Sequence, residues 1–146
     1  MASIFPFIHF NGNAEEAFLF YKSVFGGDFS TLIRYKEINF DSSFNAEKEA
    51  EKIMHIELPI HKHSVLMGSD TPEQLGKHSE METRTKISIS AESKEEADNI
   101  FKDLSKDGQI EMPIQDSPWG TYFGMFRDKF GIEWMIDFDP KKVEIK

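Results

Sequence analysis

The sequence predicts an α+β fold in which two βαβββ modules form a curved mixed sheet around a cleft. Three observations predict it. A short aromatic run, an amphipathic helical stretch and three strand-like runs occur in that order, and then occur in the same order again. An offset of 80 residues superposes the two halves: Asn13 falls on Ser93, Glu15-Glu16-Ala17 on Glu95-Glu96-Ala97, Phe20 and Tyr21 on Ile100 and Phe101, and Lys22 on Lys102. Two late stretches, "KISISA" and "IEWMIDF", alternate strictly, as strands with one dry face do. Surface Glu and Lys match by chance, so the repeated element order carries the case for a duplication. A chain of 146 residues suits one domain, with the first module at 4–70 and the second at 86–138.

Each element has its own local signal. Residues 4–10, "IFPFIHF", are short, apolar and aromatic, as a buried strand is. The next stretch, "NGNAEEAFLFYKSVFGG", opens with Asn13 as an N-cap and Glu16 three residues on; Ala17, Phe20, Tyr21 and Val24 recur at helical spacing, and Gly26-Gly27 stops the helix. "DFSTLIRYKEI" reads as a strand, and "KIMHIELPI" and "SVLMGSD" as two more around the turn "HKH". Loop composition marks 39–51 and 70–85. In the second half "KISISA" is a strand, "SKEEADNIFKDLSKDG" a helix from Ser93 to a stop at Gly108, and "QIEMPI", "GTYFGMFRD" and "IEWMIDF" are strands. In "IEWMIDF", Ile132, Trp134, Ile136 and Phe138 share one face, while Glu133, Met135 and Asp137 share the other. A helix covers one face of each sheet. The open faces are expected to curve together around a groove, a common place for a ligand.

Composition narrows the function classes. Hydrophobic residues make up 39% of the chain and include 14 Phe, enough for a core of its own. The net charge of −9, with 17 basic residues scattered among 26 acidic ones, argues against nucleic acid and against an anionic membrane. There is no cysteine, which excludes disulfides, thiolate nucleophiles and Cys-based zinc sites. The start "MASIFPFIHFNGN" lacks a basic n-region and a long apolar run, so the expected setting is the cytoplasm.

Three stretches together, "FNGNAEEAFLFYKSVFGG", "MHIEL…SVLMGSD" and "WGTYFGMFRDKFGIEWMIDF", resemble the vicinal-oxygen-chelate superfamily of glyoxalase I, bleomycin- and fosfomycin-resistance proteins and extradiol dioxygenases. Within it they are most similar to the PhnB-like branch, over about residues 4–138. The resemblance implies the glyoxalase/bleomycin-resistance/dioxygenase fold, a small-molecule ligand in the cleft and a homodimer. In metal-using members, one His on the first strand and one Glu on the last strand of each half ligate the ion. Matched to this sequence, those positions fall on Pro6, Met67, Lys86 and Met135. Pro offers no donor, a thioether is a poor ligand for hard or borderline ions, and the Lys86 ammonium repels a cation. The expectation is therefore a metal-free binding protein with no cofactor and a cleft lined by Pro6, Met67, Lys86, Ser88, Trp119, Tyr122, Glu133 and Met135. The alternative is a metal-dependent lyase or dioxygenase-like enzyme of the same superfamily.

Other chemistry competes with plain structural roles. Glu133 is the candidate catalytic base, and with Asp137 it flanks Met135 at about 6–7 Å along the strand; solvated rim carboxylates are the commoner outcome. Lys86, Ser88 and Ser90 form the facing polar row, where Lys86 either neutralises a ligand's carboxylate or phosphate or pairs with Glu133. "PWGTYFG" groups Trp119, Tyr122 and Phe123, which suits stacking on a flat ligand or core packing. His9 is expected on the helix side of its strand. His55 and Glu57 share a face, His61 and His63 flank a turn, and His78 lies in a loop. The branch often carries the label 3-demethylubiquinone-9 3-methyltransferase, yet the chain has no G-x-G for a cofactor-binding turn, nor a P-loop, G-x-S-x-G or H-E-x-x-H.

Overall fold

A computed structural model of the chain describes residues 2–38, 46–81 and 84–141. They divide into two compact units between Ser79 and Glu80. The first contains β1 (Phe7–Phe10), α1 (Ala14–Phe25), β2 (Thr31–Arg34), the one-turn helix α2 (Ala46–Glu49), β3 (Ile53–His61) and β4 (Ser64–Asp70). Its sheet order is β1-β4-β3-β2, parallel between β1 and β4 and antiparallel elsewhere. Ile8, Phe10, Ile56, Leu58 and Leu66 are buried on the face that meets Ala14, Ala17, Phe18 and Tyr21 of α1. Gly68 is required by this packing: a Cβ there would lie 2.7 Å from the Phe18 ring and 3.0 Å from the Ile8 carbonyl.

The second unit contains β5 (Ile87–Ser90), α3 (Lys94–Leu104), β6 (Gln109–Asp116), β7 (Tyr122–Arg127) and β8 (Glu133–Phe138). The order β5-β8-β7-β6, again with one parallel pair at the β5 edge, repeats the first unit's topology. Trp134, Ile136 and Phe126 are buried against Ala97, Phe101 and Leu104 of α3, with the Phe101 and Phe126 rings edge-to-face at 5.0 Å. The β7–β8 turn is built by Asp128. Its Oδ1 accepts from Phe130 and Ile132 N–H, and its Oδ2 from the Trp134 indole at 2.9 Å. Both units have the strand, helix and three-strand order expected of βαβββ modules.

Several local expectations are corrected. The Asn13 side chain makes no capping bond. The α1 N-terminus is served instead by buried Asp70, whose Oδ1 accepts from Gly12 N at 3.0 Å and Ala14 N at 2.9 Å. Ser93 does cap α3, accepting from Glu96 N at 3.0 Å. That helix ends at Leu104, short of Gly108. The glycine is needed because a Cβ would lie 2.2 Å from the Arg127 carbonyl. The strand in "DFSTLIRYKEI" stops at Arg34, where the Glu37 carboxylate folds back to accept the Arg34 N–H at 2.7 Å and starts a 3-10 turn. Of the two loop stretches, residues 39–45 and 82–83 lie outside the described residues.

The 80-residue offset also slips by one residue on the first strands. It matches buried Ala17 and Tyr21 to buried Ala97 and Phe101. However, it matches Ile8 and Phe10, on the α1 side, to Ser88 and Ser90, whose register partners Met135 and Asp137 lie away from α3. His9, between buried Ile8 and Phe10 on β1, falls on the face away from α1, not on the helix side. Among the described residues no helix is long and apolar enough to cross a membrane.

Candidate functional site

In the second unit, the sheet face opposite α3 is organised in three rows across the strands. Alternation places Glu133, Met135 and Asp137 of β8 there, and register adds Arg127, Met125 and Phe123 of β7.

The first row is ionic. Glu133 is 4% exposed, and its Oε1 accepts from Arg127 Nη2 at 3.0 Å. Lys86 Nζ lies 3.1 Å from Glu133 Oε2, close enough to pair charges though poorly angled for a hydrogen bond. It also lies 3.3 Å from Glu111 Oε1 of β6. Because β5 and β6 are opposite sheet edges, Lys86 reaches over the middle strands and roofs this end of the face. Arg127 further donates to the carbonyls of Gly131, Glu80 and Met81. Two cations meet two anions, so the cluster carries no surplus charge. Burial alone would lower the Lys86 pKa, but Glu133 and Glu111 outweigh it and raise it, so the group stays an ammonium. Of the two sequence-based options for Lys86, the structure has the pairing with Glu133. Both Glu133 oxygens face a cation, Oε1 at 3.0 Å from Arg127 and Oε2 at 3.1 Å from Lys86, and the residue is buried, so neither oxygen is open to a ligand's proton, which counts against Glu133 as a general base.

The second row is thioether. Met135 pairs with Met125, and Met125 with Met112, so three methionines cross β8, β7 and β6 in register, with Ser88 at the β5 end. Met side chains are flexible and polarisable and fit ligands of varied shape.

The third row mixes carboxylate and aromatic groups. Asp137 lies between Ser90 and Phe123. Its Oδ1 is sealed from solvent and has no hydrogen-bond donor among the described residues. A buried, unmatched acceptor of this kind costs about 1–3 kcal/mol, more when charged. The Trp119 ring stands edge-to-face with Phe123 at 5.6 Å and is 63% exposed. Its turn is tied by Ser117, whose Oγ donates to the Thr121 carbonyl at 2.7 Å, and by Gly120 at φ 98°.

Tyr122 is not on this face. Its partner Phe138 shares the side of Trp134 and Ile136, and the Tyr122 hydroxyl donates to Asp98 of α3 at 2.5 Å. That bond, ahead of burial, raises the Tyr122 pKa to about 12. The resulting stability is complete below the free-tyrosine value near 10 and is lost as pH rises through about 12. In an ultraviolet titration, the difference between wild type and Tyr122→Phe is therefore expected to show one phenol ionising near 12. A component near 10 would refute it.

The first unit presents a different face opposite α1. Pro6 precedes β1, and its carbonyl accepts from Met67 N at 3.1 Å. Met67 lies in register between Phe7 and Glu57. His55 Nε2 is 2.7 Å from Glu57 Oε2, and the Phe7 ring lies between His9 and His55 at 5.1 and 5.5 Å. His9 meets Ser69 at 3.3 Å and stacks near His78, which bonds Thr71 at 2.7 Å. Burial, and then the His78 charge, lower the His9 pKa. His61 and His63 flank the exposed β3–β4 turn. Among the described residues no group of three or more His, Asp or Glu is disposed to hold a metal.

The residues at the four positions where the resemblance expects metal ligands do not fit a divalent cation. Pro6 has no side-chain donor, Met67 and Met135 offer thioethers, and Lys86 is an ammonium already paired with two carboxylates. Arg127, Glu111, Met112 and Met125 were not singled out from sequence. Alternation in "YFGMFR" places Met125 beside Phe123. Met112 and Glu111 could not be placed, because β6 shifts register between Ile110 and Met112 and again before Gln115.

Comparison with known proteins follows this geometry. Residues 2–137 match the family model described as 3-demethylubiquinone-9 3-methyltransferase. The crystal structure of protein PA1353 from Pseudomonas aeruginosa is 30% identical with a TM-score of 0.82, covering 95% of this chain and 98% of that one. A structure from Bacillus cereus, described as a putative 3-demethylubiquinone-9 3-methyltransferase, PhnB protein, is 26% identical with a TM-score of 0.72, covering 94% and 99%. A glyoxylase/bleomycin resistance protein/dioxygenase domain from Frankia sp. EAN1pec shares the fold alone, at 14% identity and a TM-score of 0.64 over 95% and 98% of the two chains.

Proposed function

The chain belongs to the family described as 3-demethylubiquinone-9 3-methyltransferase, the PhnB-like branch of the vicinal-oxygen-chelate superfamily, and we propose that it binds a small molecule without a metal ion. The observation that carries this reading is the donor set: thioethers at Met67 and Met135, and an ammonium at Lys86 neutralised by Glu133 and Glu111. The binding surface is the methionine row with Phe123 and Trp119 at one end. It is an adaptable apolar strip beside polar groups, the usual make-up of a small-molecule site. The protein acts as a homodimer in this reading, as symmetric pairs are the commonest assembly.

The family's methyltransferase description gains no support from the chain's chemistry. A nucleotide-type cofactor needs free backbone N–H groups where a strand turns into a helix. Here the Gly12 and Ala14 N–H groups at the start of α1 are taken by Asp70.

A second reading, a metal-dependent lyase or dioxygenase-like enzyme, rests on one observation: the His55–Glu57 pair at 2.7 Å, a base with an orienting carboxylate. Thermal unfolding with and without zinc, nickel and manganese separates the two. A ligand that binds only the native state at about 100 times its Kd adds about 2.7 kcal/mol. Metal-free binding predicts no such rise with any of the three ions, and native mass spectrometry showing a dimer without metal. A rise of several degrees with one ion overturns the proposal in favour of the enzyme.

A further inference from the structure

We infer that the third row of the second unit recognises a ligand in which an ammonium group adjoins a flat apolar ring, with Asp137 receiving the ammonium and Trp119 and Phe123 flanking the ring. This rests on the metal-free binding reading and names the ligand chemistry of that same face.

The first support is the isolation of Asp137. Its sealed Oδ1 has no donor among the described residues. Among the described residues, the basic side chains of this face are Lys86 and Arg127, both engaged with Glu133. Glu133 is four residues from Asp137 along β8, about 13 Å at strand rise, so neither cation is placed to neutralise both carboxylates. Ser90, the register neighbour on β5, makes no bond to that Oδ1. Asp137 is partly exposed as a residue, and a carboxylate with one oxygen left unmatched beside an apolar row calls for a donor, of which a charged one forms the stronger bond.

The second support is the neighbouring ring pair. Phe123 is the direct cross-strand partner of Asp137, and Trp119 stands against Phe123 at 5.6 Å while remaining 63% exposed. An indole held on a tied turn, with most of its surface open, offers a face to a ring or to a cation. The adjacent methionine row supplies a deformable floor. The net charge of −9 favours approach of a cation over an anion.

The test uses four naphthalene probes that share one ring: 1-naphthylmethylamine, 1-naphthylmethanol, 1-methylnaphthalene and 1-naphthoate. Affinities are measured on the full chain by calorimetry or ligand-observed NMR. The ammonium probe is expected to bind about tenfold or more tighter than the methyl probe, in line with a charge-assisted bond, and the carboxylate probe weakest. In Asp137→Asn the ammonium advantage is expected to fall below about threefold, with the methyl probe unchanged, and Trp119→Ala weakens all four. Equal affinities for the three uncharged or cationic probes would overturn the inference while leaving apolar binding intact. Absence of binding by every probe, together with stabilisation by a metal, would sink the underlying reading as well. Should Asp137→Asn lose its fold by circular dichroism, the wild-type ranking and its weakening at high salt decide the matter.

Discussion

Truncating Asp70 to Ala is expected to destabilise the protein by roughly 4 kcal/mol, the largest loss foreseen for a single side chain, since three donors each lose a charged partner worth about 1–3 kcal/mol. Asp70 is 1% exposed. Its Oδ1 binds the N–H groups of Gly12 and Ala14, and its Oδ2 binds the Ile53 N–H at 2.9 Å. One carboxylate at the end of β4 thus joins the start of α1 to the start of β3. Alanine leaves the Ala14 and Ile53 donors buried and empty and the Gly12 donor partly so, and removes a negative charge from the positive end of a helix. In a chain of this size that loss lowers the melting temperature by roughly 10 °C. Asp70→Asn, which keeps one acceptor oxygen, is expected to fall between the two. Urea unfolding of the three proteins measures the series. A loss under about 1 kcal/mol in Asp70→Ala would mean that the donors find other partners.

Glu133→Ala is the second large effect, at roughly 3 kcal/mol, as expected when one partner leaves a buried ion pair. Arg127 keeps its three backbone carbonyls and Lys86 keeps Glu111, which holds the figure below that of Asp70. The measurement that isolates the interaction is a double-mutant cycle of Glu133→Met and Lys86→Met. The pair is expected to couple by about 1–3 kcal/mol, with the double variant more stable than the sum of the single losses predicts. A coupling energy under about 0.5 kcal/mol would show that Glu133 and Lys86 act independently, with Arg127 still holding the carboxylate.

Much of the fold was legible because its signals are short-range. Strict alternation in "IEWMIDF" put Trp134 and Ile136 in the core and Glu133, Met135 and Asp137 on the far face, and the register agrees residue by residue. A hydroxyl three residues before a glutamate marked the Ser93 cap. Where a local rule failed, a distant residue had displaced it. Asn13 has the right identity to cap α1, but Asp70, 56 residues beyond Ala14, fills the position. Matching Pro6 to a cleft-facing position put His9, three residues on, on the helix side, whereas the burial of Ile8 and Phe10 against α1 turns His9 the other way. Period-2 alternation fixes which residues share a face and does not fix which face is buried.

By itself the sequence determined the two strand–helix–strand–strand–strand units and a family pattern covering nearly the whole chain. Only the tertiary structure decided that Glu133 is closed off by Lys86 and Arg127, that Met112, Met125 and Met135 align, and that Asp137 Oδ1 is left without a donor among the described residues. The physical reason is that these relations arise between strands. Pairing register, including the two shifts in β6, sets them, and the identities of neighbouring residues do not encode that register.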